Sequence, residues 1–318
     1  MPDQINAIVV DQSDPKRLAV RRFSPPSAAP EEVLVEVKAI SLNRGEVKRA
    51  LTVTPSGTCP GWDFCGIVID RREVLNAPPI GSRVVGLVGG GAWAARVNAP
   101  LQSIAMVPDG VSDAQAASLP VAGLTALHAL RKGGLLLGKK VLVDGATGGV
   151  GQFAVQLAAA AGAHVFAHVR RANQADQIDV STGATVIIGE SLEAARPFGP
   201  FDLVVDGVGG ATLSAAMTML ARHGSCVTFG ATDGAPVTFD NGAFFRASGT
   251  SLRSLILNDE LASTEPASEG LALLLDLIVK GDLHPRIHVE ADWSDIDDIA
   301  RGLIERHFQG KAVLHVTG

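Results

Sequence analysis

The run VLVDGATGGVG (Val141–Gly151) is the stretch that decides the fold of this 318-residue chain. Its first three residues predict a short buried strand, and an alanine-rich helix is predicted over Val150–Ala161. Between them lies a G-x-G-x-x-G turn with alanine in first position, Ala146-Thr147-Gly148-Gly149-Val150-Gly151. Gly148 lets the backbone approach a pyrophosphate, Gly151 lets the helix pack close to the strand, and the helix N-terminus offers N–H groups to phosphate. The stretch therefore predicts a dinucleotide-binding turn.

Downstream of this turn, short apolar runs alternate with helical segments. Strands are predicted at His164–Val169, Thr185–Ile188, Leu203–Val205 and Cys226–Phe229, with a helix over Thr212–Ala221 among the intervening segments. Continuous apolar strands separated by helices are typical of a parallel sheet covered on both faces. This part of the chain predicts an α/β domain.

The first 115 residues have a different texture, with short β-runs separated by Pro- and Gly-rich turns. Val33–Val37, Gly66–Ile69 and Arg83–Leu87 are candidate strands, which suggests a β-rich module. After Leu257 the regular alternation of apolar strands and helices ends, and a last strand is predicted at Ala312–Val316. We expect an α/β domain inserted into a β-rich one.

Composition excludes several classes of protein. Lys and Arg number 27 against 33 Asp and Glu, a net charge of −6, and 47% of residues are apolar. This balance argues against disorder and against binding of a nucleic acid backbone, while three cysteines exclude a disulfide scaffold. With no signal peptide and no membrane span recognisable, we expect a cytoplasmic protein with neither nucleic acid nor membrane partners.

The end of the second predicted strand bears on which dinucleotide binds. An NAD site usually carries Asp or Glu there for the ribose 2′-hydroxyl, but this strand ends in Arg170-Arg171 and the next carboxylate is Asp176. Two guanidiniums suit a 2′-phosphate, so the sequence predicts NADPH. A solvated loop with two stray arginines is the alternative. His168 is expected to be solvated, as strand-end histidines commonly are.

Several further motifs make the whole chain resemble the zinc-independent quinone oxidoreductases of the medium-chain dehydrogenase/reductase superfamily. Besides the glycine turn, the resemblance rests on short motifs along the whole chain. They are SLNR from Ser41, PGWDFCG from Pro60, AASLP from Ala116, GLTALH from Gly123, FG from Phe229 and GKAVL from Gly310. It implies a Rossmann doubly wound parallel sheet over residues 118–258 and a GroES-like β-rich catalytic domain over residues 1–117 and 259–318. It also implies NADPH-dependent reduction of a quinone or conjugated enone, a homodimer, and contact of Phe229 and Gly230 with the cofactor.

The same resemblance argues against zinc. Zinc-dependent relatives place Cys where Asn43 stands and His-Glu where Trp62-Asp63 stands, and an amide and an indole are poor zinc ligands. We therefore expect no metal. One departure concerns the cofactor, because relatives often carry Lys for the 2′-phosphate where this chain has Gln174.

Two residues are candidates for catalysis in the expected cleft between the domains. Asn43 is predicted to donate its amide to the substrate carbonyl or the nicotinamide ribose, and Thr125, at the start of a helix, to contact the nicotinamide half. The alternatives are a turn-forming Asn and a helix-capping Thr. The chain has no Tyr, so no phenol can donate the proton and water is the expected source.

Three functions remain open on the sequence. The first is an NADPH-dependent quinone or enone reductase, and the second is an enoyl-thioester reductase. The third is a non-catalytic NADPH-binding protein of the crystallin or regulatory kind.

Overall fold

The computed structural model describes residues 4–25, 27, 29–72 and 74–317. They form two compact units. Unit 1 comprises the described residues up to Leu124, Glu265–Gly281 and those from Pro285 onward, and unit 2 comprises Thr125–Thr264 with Asp282–His284. The predicted boundaries after residues 117 and 258 stay a prediction, and residues 1–3 and 318 of that prediction lie outside the described residues.

The strands of the described residues follow one another along both units. They are β1 Ile5–Val10, β2 Leu18–Phe23, β3 Glu32–Leu42, β4 Asp63–Asp70, β5 Arg83–Leu87, β6 Arg96–Pro100, β7 Ile104–Met106, β8 Lys140–Val143, β9 His164–Val169, β10 Thr185–Ile188, β11 Phe201–Asp206, β12 Leu220–Thr228, β13 Ser251–Ser254, β14 Ile287–Asp292 and β15 Lys311–His315. The helices are α1 Arg44–Thr52, α2 Asp113–Ala117, α3 Pro120–Arg131, α4 Gly151–Ala160, α5 Gly210–Met217, α6 Asn241–Arg246, α7 Leu257–Ser263, α8 Ala267–Lys280 and α9 Ile296–Glu305.

Unit 2 is built on a six-stranded sheet in the order β10-β9-β8-β11-β12-β13. Every neighbouring pair is parallel. The order reverses between β8 and β11, which is the topological switch point at which doubly wound sheets bind ligands. The predicted parallel α/β domain is confirmed, and α4 lies one residue inside each predicted helix end.

One predicted helix in unit 2 was wrong at its end. The predicted segment Thr212–Ala221 overruns α5, which stops at Met217 because the Thr218 hydroxyl bonds the carbonyl of Ala215 and the following residues join the sheet. Strand β12 consequently starts six residues earlier than Cys226, where it was predicted. Strand β13, of sequence SLRS, carries too little apolar signal and was missed.

Unit 1 is the predicted β-rich module. Its main sheet runs β14-β15-β3-β4-β5-β7 with β6 also paired to β3, and β1 pairs with β2. Strand β3 alternates cleanly, with Val33, Val35 and Val37 buried in the core together with Trp93. Strand β15 pairs antiparallel with β3, so the last strand completes the sheet begun by the early ones.

None of the helices in the described ranges combines the length and hydropathy that a membrane span requires.

A close approach in unit 1 makes Gly61 intolerant of a side chain. Its φ is +104°, and a Cβ there would lie 2.2 Å from Cδ1 of the buried Trp93 ring. Gly57 also has positive φ, +85°, but a Cβ there would meet nothing within 4 Å. Alanine substitutions at these two glycines therefore separate the cost of backbone strain from the cost of steric overlap.

We expect Gly61→Ala to lower the free energy of unfolding by about 2–4 kcal/mol, since overpacking adds to the left-handed strain, and Gly57→Ala by about 1 kcal/mol. Calorimetric melting temperatures of both variants check this. Equal losses would contradict the steric argument.

Candidate functional site

The glycine turn of unit 2 lies between β8 and α4. Gly145 adopts φ +62°, and the N–H of Gly148 donates to its carbonyl at 2.8 Å. A Cβ on Gly151 would lie 2.2 Å from that same carbonyl oxygen, and one on Gly148 would lie 3.1 Å from it. The turn thus brings α4 against the strand, as predicted. The N-cap residue Val150 is apolar and, within the described residues, gives the first N–H groups of α4 no side-chain cap.

Polar side chains follow the strands on either side of the switch point. Asp144 follows β8 and Asp206 ends β11, and both are buried. Asp206 accepts the N–H groups of Val208 and Gly209 at 3.1 Å and the hydroxyl of Thr228 at 3.1 Å. Burial, together with the Asp144 carboxylate, raises the pKa of Asp206 to about 6. The loop after β11 is therefore held by a carboxyl group that titrates close to neutral pH.

His168 joins this row from β9. Its Nδ1 lies 2.7 Å from Oδ1 of Asp144 and its Nε2 lies 2.9 Å from the carbonyl of Gly189, with only 2% of the residue exposed. A carbonyl oxygen only accepts, so Nε2 carries a proton, and Nδ1 forms the second hydrogen bond of the ring, with the Asp144 carboxyl group. The expectation of a solvated His168 was wrong, because the ring ties the ends of β8, β9 and β10 together.

The turn after β9 carries the two predicted phosphate ligands. Arg170 and Arg171 are exposed, and neither guanidinium has an ion-pair or hydrogen-bond partner among the described residues. Gln174, in contrast, is buried, and its Oε1 accepts the backbone N–H groups of Arg170 and Arg171 at 2.9 Å each. Two free cationic groups thus stand on a turn that a buried amide closes.

The remaining predicted cofactor residues of unit 2 lie at the same edge of the sheet. Ala146 and Thr147 are buried, and Phe229 and Gly230 directly follow β12. The N–H of Phe229 donates to the carbonyl of Asp206 at 3.0 Å. The turn, the arginines and the Phe229-Gly230 pair are therefore brought to the carboxyl ends of β8, β9 and β12. That they bind a cofactor stays a prediction.

Thr125 is not at a helix start. It is the sixth residue of α3, and it is 5% exposed. The predicted position was wrong because α3 begins at Pro120, whose fixed φ suits a first helical turn. Its contact with the cofactor stays a prediction.

Asn43 lies at the centre of a buried cluster in unit 1. It is the N-cap of α1, and its backbone N–H donates to Oε1 of Glu46 at 2.8 Å. Its Nδ2 donates to Oε1 of Glu46 at 2.9 Å and to Oδ2 of Asp63 at 2.7 Å, while its Oδ1 accepts from Nζ of Lys311 at 2.8 Å. Both amide hydrogens are thus directed at carboxyl groups, so the predicted donation to a substrate would need one of these bonds to break.

The other members of this cluster are also satisfied from the backbone. Oε2 of Glu46 accepts the N–H of Trp62 at 2.8 Å, and Oδ1 of Asp63 accepts the N–H of Val121 at 3.1 Å. Nζ of Lys311 also reaches Oδ2 of Asp63 at 3.5 Å. The cluster, defined as Asn43, Glu46, Asp63 and Lys311, therefore fixes the loops around it.

Burial sets the charge state of the cluster. Burial and the Asp63 carboxylate raise the pKa of Glu46 to about 8, against the donors of Asn43 and Lys311. Burial also raises the pKa of Asp63 and lowers that of Lys311, each opposed by the attraction between them. A pKa of about 8 keeps Glu46 mostly protonated at neutral pH, which reduces the number of charges buried in the cluster.

The described residues contain no group of three or more His, Cys, Asp or Glu side chains that could hold a metal ion. Cys59, Cys65 and Cys226 are buried free thiols, and burial raises the pKa of all three.

Known proteins resemble this chain in sequence and in fold. A family described as zinc-binding dehydrogenase matches residues 149–273, a segment that excludes Asn43 and Trp62. The quinone oxidoreductase of Coxiella burnetii superposes with a TM-score of 0.82 at 27% identity, over 99% of this chain and 100% of that one. The Escherichia coli quinone oxidoreductase, solved in complex with NADPH, gives 0.86 at 26% identity, over 98% and 100%. The chain is an oxidoreductase of the medium-chain dehydrogenase/reductase superfamily.

This oxidoreductase family member also has much longer relatives. A spectinabilin polyketide synthase system protein of Streptomyces orinoci is 34% identical over 262 residues, which are 81% of this chain and 12% of that protein. Across the first such curated relatives, the chain spans between 6% and 13% of their length. The predicted family and the combination of a Rossmann sheet with a GroES-like module are confirmed.

Sequence reasoning on this oxidoreductase missed the residues that hold the sites together. Glu46 follows Asn43 at the spacing of a capping box, a signal that was available. Asp206 ends an apolar strand beside the glycine turn, which also pointed to it. The inward side chains of Gln174 and Lys311 left no such pattern, because neither residue type predicts burial.

We expect Glu46→Gln to flatten the dependence of stability on pH. The folded-state pKa is raised from 4.5 to about 8, so the contribution of Glu46 is fully present below about pH 4.5 and is lost as pH rises through 8. Relative to wild type, the variant should therefore gain stability between these pH values, by up to about 1.4 kcal/mol per pH unit.

Urea unfolding of both proteins from pH 5 to pH 9 measures this difference. The exposed Glu31→Gln is the control, and it should track wild type at every pH. Parallel curves for wild type and Glu46→Gln would show that Glu46 does not titrate in this window.

Proposed function

We propose that the chain is an NADPH-dependent, zinc-independent oxidoreductase that transfers hydride to a quinone or an α,β-unsaturated carbonyl. The observation that carries the proposal is the pair of free guanidiniums of Arg170 and Arg171 at the end of β9, beside the glycine turn. A 2′-phosphate is the anion that such a pair suits, because guanidinium engages phosphate through two parallel bonds.

The turn itself fits the phosphates of a dinucleotide. A Cβ on Gly151 would overlap the carbonyl of Gly145, and one on Gly148 would crowd the same atom, so the tight turn that precedes α4 requires glycine at both positions. The uncapped N-terminus of α4 offers N–H groups and the positive end of the helix dipole. These residues would hold the pyrophosphate, and Arg170 and Arg171 the 2′-phosphate.

When bound, the cofactor supplies a hydride from its nicotinamide ring. A quinone or conjugated carbonyl that accepts the hydride becomes an oxyanion, which needs a donor. We propose the amide of Asn43 for this role, with one of its bonds to Glu46 or Asp63 giving way, and Thr125 as a contact of the nicotinamide half. The proton comes from water, because the chain has no Tyr.

One observation favours a second candidate function, reduction of an enoyl thioester. The chain is 34% identical over 262 residues to the spectinabilin polyketide synthase system protein. Chain-building enzymes of that kind work on thioesters, so a thioester-linked enone is a substrate to test beside free ones.

Oxidation of NADPH with a naphthoquinone, an alkenal and crotonyl-coenzyme A separates these functions. We expect turnover with the quinone or the alkenal, since both present an electrophilic carbon conjugated to oxygen, and less with the thioester. Preference for the thioester would support the second candidate. No turnover with any acceptor, while NADPH still binds, would favour the non-catalytic alternative and contradict the proposal.

Replacing both Arg170 and Arg171 by Ala should raise the KM for NADPH, because charge-assisted bonds to phosphate are lost. The ratio of the two KM values should correspond to a free energy of about 1–3 kcal/mol. The KM for NADH should change little. Arg222→Ala, an exposed arginine of the same unit, is the control and should leave both constants unchanged. Equal effects on the two cofactors would remove these arginines from the phosphate site.

A further inference from the structure

The side chain of Gln174 closes the turn that follows β9. Its Oε1 accepts from the backbone N–H of Arg170 and of Arg171, both at 2.9 Å, and the backbone N–H of Gln174 donates to the carbonyl of Arg171 at 3.0 Å. Only 6% of Gln174 is exposed. The side-chain oxygen and the backbone N–H of Gln174 thus both bond the backbone of the two residues whose side chains are free.

The other side of this turn is held as well. The N–H of Gly189 donates to the carbonyl of Val169 at 3.0 Å, and the ring of His168 bonds the carbonyl of Gly189. The backbone from His168 to Gln174 is therefore tied down before and after the arginines. An anion that binds there does not have to order the loop first, and preorganisation of this kind increases affinity by lowering the entropic cost.

Charge distinguishes Gln174 from the acidic residue of the same shape. A Glu at this position could accept the same two N–H bonds, but it would place a negative charge beside Arg170 and Arg171. No carboxylate occurs between the start of β9 and Asp176. The turn is therefore closed by a neutral acceptor, and the positive charge of its two guanidiniums stays uncompensated.

We propose that Gln174 is a positioning residue that determines cofactor specificity: by binding the backbone N–H groups of Arg170 and Arg171, it holds the backbone from which both guanidiniums reach a 2′-phosphate. Gln174 does not itself touch the phosphate. The inference rests on the proposed function, because it assumes a 2′-phosphorylated cofactor.

Calorimetric titration of the whole protein with adenosine 2′,5′-bisphosphate and with adenosine 5′-monophosphate tests the inference without turnover. Gln174→Met removes the acceptor and keeps the length, Gln174→Glu keeps the acceptor and adds charge, and Asn173→Ala changes an exposed neighbour as the control. We expect Gln174→Met and Gln174→Glu each to weaken the bisphosphate about tenfold, and to change the monophosphate less than about twofold. Asn173→Ala should match wild type.

Two further readouts separate positioning from a general loss of structure. The loss of bisphosphate affinity in Gln174→Glu, relative to wild type, should shrink when salt is raised to about 0.5 M, because this loss is electrostatic. The loss of bisphosphate affinity in Gln174→Met should persist. In steady-state assays, KM for NADPH should rise in both variants while kcat stays unchanged. Should Gln174→Met not fold, Gln174→Glu decides the matter.

The outcomes distinguish the two proposals. If wild type binds the bisphosphate no more tightly than the monophosphate, the proposed NADPH preference is wrong. If wild type discriminates and a folded Gln174 variant discriminates equally well, the role of Gln174 is wrong while the function stands. Equal weakening of both nucleotides would likewise overturn a specificity role.

Discussion

The approach of α4 to the carbonyl of Gly145 is the constraint on which unit 2 depends. A Cβ on Gly151 would come within 2.2 Å of that oxygen, so the helix can begin there only without a side chain. This contact places the helix N-terminus directly after β8, at the point where the order of the parallel strands reverses. The row of Asp144, His168 and Asp206 then forms at the same edge, because these residues follow or end neighbouring strands.

In both units, buried carboxyl groups lie beside a histidine or lysine or have a raised pKa. In unit 2, Nδ1 of His168 lies 2.7 Å from Oδ1 of Asp144, and burial raises the pKa of Asp206 to about 6. In unit 1, Nζ of Lys311 lies 3.5 Å from Oδ2 of Asp63, and burial raises the pKa of Glu46 to about 8. Breaking such a pair by removing one partner costs more than the pair contributes, so these groups fix local geometry more than they add stability.

Much of unit 2 could be predicted because its signals are local. The glycine turn, the apolar run before it and the alanine-rich helix lie within a few residues of one another, and α4 matched its prediction to one residue at each end. Strand β13 was missed because it is short and polar, and the end of α5 because Thr218 terminates a helix whose apolar pattern continues.

The site was harder to predict, because its polar residues act through contacts that are distant in sequence or directed inward. Arg170 and Arg171 stood out as two cations where an acid was expected. Tertiary packing, which residue type alone does not specify, decides three features of the site. They are the orientation of Gln174 toward the backbone, the burial of His168 and the hydrogen bonds that occupy the whole amide of Asn43.

The bond between Asn43 and Lys311 joins residues 268 positions apart, and the whole of unit 2 lies between them in the chain. Unit 2 has its six strands within a nearly continuous segment, so it can complete its core as soon as that segment has left the ribosome. Unit 1 cannot complete its main sheet, or bury Asp63 beside Nζ of Lys311, until β15 is made. We therefore expect the inserted unit to be able to fold first during synthesis, and the unit that surrounds it in sequence to close last.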